Sequence, residues 1–174
     1  MKRFCPAPLF AVISLSALAG CASATPPHMF CPQVAVLQQA QTLTAFLPGR
    51  SDVASQLTTA QITGVAGSCD VNKKNQLLVN FQAGFTASNG PANNGKTLTL
   101  PFFVAIANGD DIISKTDYTI ALPFNGNSSM AQATSKPVKV ALANDHASKS
   151  IQILVGFELT QDQLNYAATH PAGP

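Results

Sequence analysis

The sequence contains no tryptophan, two tyrosines and three histidines in 174 residues. Charged residues make up only 10% of it, where soluble domains usually carry roughly 25%. The three histidines, His28, His146 and His170, are far apart, so no pair has the spacing that holds a metal ion on one element. No Gly-x-Ser-x-Gly elbow, no Cys-x-x-Cys and no glycine-rich phosphate loop opening a helix is present. The longest apolar run, Leu9 to Leu18, is about ten residues, too short for the roughly 20 that a membrane-spanning helix needs. What is plentiful is Gly, Pro, Ser, Thr and Asn between short apolar stretches, a composition for strands joined by turns.

That short apolar run has a meaning of its own. Lys2 and Arg3 precede it, and Leu18-Ala19-Gly20-Cys21 follows it. A positive start, an apolar stretch and small residues form an export signal, here residues 1–20. Leu-Ala-Gly-Cys resembles the lipobox of bacterial lipoproteins. In such signals cleavage falls between Gly20 and Cys21, and the Cys21 thiol carries the acyl chains. Small residues admit an extended backbone to a protease groove, and only a thiol is nucleophilic enough to take the lipid. Ordinary secretory cleavage after Ala17-Leu18-Ala19 or Ala22-Ser23-Ala24 is the competing expectation. Residues 21–30 then read as a lipidated tether, stiffened at Pro26-Pro27. Ala22, rather than Asp, after the cysteine favours the outer membrane, facing the periplasm.

Removing the signal takes Lys2 and Arg3 from ten basic residues and leaves eight against eight acidic ones. The mature chain has no net positive field, which excludes a nucleic-acid partner on electrostatic grounds. Cys5 leaves with the signal, and Cys21 is acylated. Cys31 and Cys69 remain, and a single pair in an oxidising compartment forms a disulfide.

Residues 31–174 read as one domain. Alternation of period two marks strands at 76–87, 97–107, 112–122, 136–142 and 150–159, with a less regular one at 57–68. Inward faces are led by Phe81 and Phe85, by Phe102 and Val104, and by Val155 and Phe157. Gly64 and Gly67 mark a bulge or close approach, and Pro101 and Pro137 mark edges or bulges. Asn72–Asn75 and Asn108-Gly109-Asp110-Asp111 signal hairpin turns. Residues 32–47 fit either a helical stripe or one or two strands; strands are preferred. About seven strands result, and the expected fold is a β-sandwich of immunoglobulin or fibronectin-III type, with a small β-barrel as the alternative. Thr160 and Gln163 form a capping box for a terminal helix from Gln161 to near Ala168, expected to cover an edge or one end.

Candidate chemistry is sparse. Asp145-His146 offers half a triad, Asp110-Asp111 a superficial calcium loop, and Glu158 a lone outward carboxylate. A turn explains the first two. Asn127-Ser128-Ser129 matches a glycosylation sequon, which means little behind a lipobox. Phe103 faces away from the core side of its strand, to be covered by a neighbouring strand or the terminal helix. No catalytic residue, metal site or cofactor is expected.

Taken together, "CPQVAVLQQAQTLTAFLPG" (31–49), "ITGVAGSC" (62–69), "LPFFVAIANGDDIISK" (100–115) and "ILVGFELTQDQLNY" (153–166) resemble a family of small alphaproteobacterial envelope lipoproteins. The resemblance implies lipidation and the Cys31–Cys69 disulfide, and it carries no activity across. The expectation is a structural or protein-interaction lipoprotein of the cell envelope. A binding module for a glycan or lipid is the second reading, and a hydrolase a remote third.

Overall fold

Strict alternation of apolar and polar residues is most complete in β4 (Gln76–Ser88), where every second residue from Leu77 to Ala87 is buried. That pattern demands a covered face, and the described residues supply it by folding nine strands into two packed sheets. The computed structural model describes residues 29–170; the signal segment, Cys21, most of the tether and His28 lie outside them.

The first sheet has the order β1-β9-β5-β6, built from β1 (Gln33–Val36), β9 (Ile151–Phe157), β5 (Leu98–Asn108) and β6 (Asp111–Leu122). The second runs β2-β3-β4-β7, from β2 (Thr42–Phe46), β3 (Gln56–Val71), β4 and β7 (Met130–Thr134), with β8 (Val138–Ala143) also on β4. This is the expected sandwich, and among the described residues no sheet closes into a barrel. Residues 32–47 form two strands in different sheets, joined by a 3-10 turn at Gln38–Ala40. All pairs are antiparallel except β1 with β9, which places Gln33 beside Gln152 and Val36 beside Val155.

The sequence reading gave about seven strands. Two strands make the difference: 32–47 counts as both β1 and β2, and β7 buries little more than Ala131 and so shows no apolar alternation. β7 and β8 are two halves of one interrupted strand beside β4, pairing with Gly84–Ser88 and Gln76–Phe81 respectively. Lys136-Pro137 makes the break, since proline cannot donate to a ladder. Ser135 repairs it: its amide donates to the Ala83 carbonyl (2.9 Å), and its hydroxyl accepts from the Ala83 amide (3.0 Å). Pro101 is tolerated inside β5 for a different reason. Its carbonyl accepts from Glu158 (3.1 Å), just past the end of β9. Its nitrogen points to that same side, where no strand continues to need a donor.

Both glycine signals in β3 have structural causes. The β3–β4 register shifts between Ile62 and Gly64, and Gly64 has φ of 153°. At Gly67 the partner backbone comes so near that an added Cβ would stand 2.3 Å from the Asn80 carbonyl oxygen.

The core lies between the sheets. Phe85 of the second sheet meets Phe102 and Phe157 of the first at ring separations of 5.0 and 5.8 Å. The Cys31–Cys69 disulfide joins the entry of β1 to β3, with Cα atoms 6.1 Å apart, and so ties one sheet to the other. The helix α1 (Gln161–Thr169) starts at the expected capping box. It packs on β2, the edge of the second sheet, through an edge-on contact of Tyr166 with Phe46 at 5.0 Å.

Candidate functional site

The sandwich has two poles. One holds residues 29–32, the β3–β4 turn, the β5–β6 turn and the 3-10 turn His146–Ser150. Strand register fixes this placement: Gln33, Gln152, Ala107 and Ile112 stand in one row across the first sheet. The other pole holds residues 47–55, 89–97 and 123–129 and the entry to α1.

The first pole is where the chain leads into the domain, and its grip there is specific. The Phe30 amide donates to Asn144 Oδ1 (3.4 Å), and the Phe30 ring packs on His146 at 4.7 Å. Lys149 Nζ lies 4.9 Å from the centre of the same ring, a cation–π contact. Asn144 in turn donates to Asn75 Oδ1 (3.0 Å), which links this cluster to the β3–β4 turn. The disulfide follows immediately. Only Cys31 and Cys69 of this anchor were legible beforehand. Phe30, Asn144 and Lys149 are single residues without periodic context, and only their meeting in space gives them a role.

The Asp145-His146 pair is used for structure. Asp145 Oδ1 accepts from the Ser148 amide (3.1 Å) and hydroxyl (3.2 Å), capping the turn, while His146 serves as a ring partner for Phe30. Ser148 is buried, with its hydroxyl also bonded to the Ala143 carbonyl. His170 caps the end of α1, stacked on Tyr166 at 4.2 Å. Asp110 and Asp111 are exposed at the β5–β6 turn. Asn127 is exposed at the opposite pole. His146 and His170 thus serve separate ring contacts, His28 lies outside the described residues, and among the described residues no three His, Cys, Asp or Glu side chains are grouped to hold a metal ion.

Glu158 does have a partner. Lys115 Nζ reaches it at 2.5 Å and Asp117 at 3.2 Å, while lying 5.1 Å above the Phe103 ring. The bond to Glu158 is the main reason that the Lys115 ammonium titrates above its usual range. Phe103 is half-buried on the outer face, over Gly156 of the adjacent β9. A neighbouring strand covers it, as expected, and the terminal helix packs elsewhere.

One apolar cleft opens beside the disulfide. It has a volume of about 230 Å³ and is lined by Pro32, Val34, Val65, Gly67, Val79 and Phe81. It exists because β2 pairs only with Gln56–Gln61 of β3, so the second half of β3 keeps a free edge facing β1. At the opposite pole, polar side chains lock two loops together. Buried Asn93 donates to Asn89 Oδ1 (2.8 Å) and to the Lys96 carbonyl (2.9 Å), and Asn89 donates to the Ser128 carbonyl (3.4 Å). Among the described residues, no helix is long and apolar enough to cross a membrane. No protein-family model, curated protein or solved structure matches the chain.

Proposed function

We propose that this protein is a lipid-anchored lipoprotein of the bacterial cell envelope, related to the alphaproteobacterial lipoproteins that its motifs resemble. Its sandwich presents a binding surface to a protein partner and performs no catalysis. The observation that carries the reading is Leu18-Ala19-Gly20-Cys21 behind Lys2-Arg3 and an apolar run. An anchored Cys21 would stand a few residues from Phe30, where the domain is pinned by a ring cluster and a disulfide. The geometry suits such a tether, because load on the chain would enter at a cross-linked pole and not at a fraying strand.

A protein partner is favoured over a small ligand by the shape of the surface. Ligand pockets usually hold about 300–1,000 Å³ and bury most of their occupant. The cleft beside the disulfide holds about 230 Å³ and is open. An outer-membrane position facing the periplasm belongs to the same reading and rests on Ala22 alone.

Changing Cys21 to Ser tests the anchor. The wild-type protein should fractionate with membranes and the variant with the soluble periplasmic fraction; a variant that stays with membranes would sink the reading. Crosslinking in native membranes tests the partner. Recovery of one stoichiometric protein supports it, and recovery of none transfers weight to ligand binding.

A further inference from the structure

The β5–β6 hairpin has an exposed apolar tip that the core does not use. Ile112 is 68% exposed and Ile113 59%. Two adjacent isoleucines cannot both face inward from one strand. Here the register slips beside them: Ser114 and Ile112 oppose consecutive residues of β5, and Ile113 is left over. All residues of β6 from Asp111 to Asp117 are exposed. This tip stands at the pole where the chain enters. Gln33 and Ile112 share a row of the sheet with two strands between them, a separation of about 14 Å. Met29, at the pole itself, is 52% exposed.

We propose that this pole rests on the phospholipid surface, with Ile112 and Ile113 seated at the level of the headgroups. The inference rests on the anchor at Cys21 proposed above. From Cys21 to Met29 the chain spans at most about 28 Å when fully extended, so the pole is held near the bilayer and cannot wander from it. A tether of that length supplies a high local concentration, and two isoleucines then suffice where a free domain would bind too weakly. The charges of the pole set the mode of contact. Lys73 and Lys74 in the β3–β4 turn and Lys149 beside Phe30 share this pole with Asp110 and Asp111 at the tip and with Asp145 and Asp70 close to the anchor. These nearly cancel. Contact is therefore apolar, shallow because of the two tip carboxylates, and indifferent to anionic lipid. The opposite pole and its Asn-locked loops are turned away from the membrane toward a partner.

The test uses the full-length lipidated protein in phosphatidylcholine vesicles. With Cys21 acylated and Cys31 bonded to Cys69, Ile113→Cys introduces one free thiol for a polarity-sensitive fluorophore, and Asn127→Cys places the same probe at the far pole. Headgroup-region spin-labelled lipid should quench the probe at 113 several-fold more than the probe at 127. Added phosphatidylglycerol should change neither. Adding Ile112→Ser to the 113-labelled protein should weaken its quenching; no change would mean that the fluorophore itself seeks the lipid, and would overturn the proposal. Equal quenching at both sites in protein that floats with the vesicles would overturn it too, while leaving the anchor intact. Protein that does not float with the vesicles removes the anchor reading, and this inference with it. Burial of the 113 probe in native envelopes but not in vesicles would assign the tip to a protein and so reject the lipid.

Discussion

Gly67 is a residue whose only function is to be small. A Cβ there would meet the Asn80 oxygen at 2.3 Å and Phe81 Cβ at 2.6 Å. Both are strand atoms that cannot swing aside, so Gly67→Ala must push β3 from β4. We expect a loss of about 1–3 kcal/mol, read from the urea midpoint; an unchanged midpoint would mean that the strands separate freely at this point. Asp52 makes a different kind of single-residue contribution. Hydrogen bonds from the Arg50 guanidinium at 2.8 and 2.9 Å are the main reason that its carboxyl titrates below the usual 3.8. The same carboxylate accepts from the Ser55 amide (3.2 Å) and caps the 3-10 turn Val53–Ser55. Because the folded value is lowered, this contribution is fully present above 3.8 and is lost as pH falls through the folded value. In an amide NMR titration the Ser55 signal should therefore move with a midpoint below 3.8. A midpoint at or above it would contradict the Arg50 contact.

At the scale of elements, α1 is the one piece whose docking can be tested alone. Thr160 Oγ1 accepts from the Gln163 amide (3.3 Å), and Gln163 Oε1 accepts from the Thr160 amide (2.9 Å). Thr160→Ala should cost about 1 kcal/mol of helix stability. Hydrogen exchange should quicken in α1 and in β2 beneath it while β4 and β5 keep their protection; uniform quickening would mean that the helix is part of the global folding unit. This helix was legible in sequence because a capping box is local chemistry. So were β4, β5, β6, β8 and β9, because each carries alternation over several residues, and, from a less regular pattern, β3. β7 was not legible, since Ala131 is nearly all that it buries. The split of 32–47 into strands of two different sheets was only half legible: alternation within four or five residues names a strand and not its neighbour. The pole that binds Phe30 is a meeting of Asn144, His146 and Lys149 with a chain segment more than 110 residues away in sequence. No local pattern encodes such a meeting. Ile112-Ile113 is the instructive case in between. A pair of adjacent isoleucines directly after a turn already says that one of them must face out.

For the whole molecule, the disulfide decides how the sandwich responds to load and to redox conditions. It closes a loop across 38 positions and bridges the two sheets at the anchored pole. The chain-entropy model assigns such a loop about 4 kcal/mol, which is a large share of the 5–15 kcal/mol that holds a typical domain. Without it, β1 is held by four residues paired in parallel with β9, at the open edge of its sheet. The remaining clasps on this pole include Phe30 against Asn144, His146 and Lys149, of which His146 and Lys149 are exposed. Loss of the bridge should therefore act in two ways that one variant can separate. The double substitution of Cys31 and Cys69 by Ser should lower global stability by about 4 kcal/mol in urea unfolding. It should also release β1 before the rest, so that the amides of Ala35 and Val36 exchange far faster than those of Val79 or Val155 under native conditions. If β1 instead stays as protected as β4, the parallel pair with β9 and the Phe30 cluster hold the strand unaided, and the disulfide acts on the unfolded chain alone.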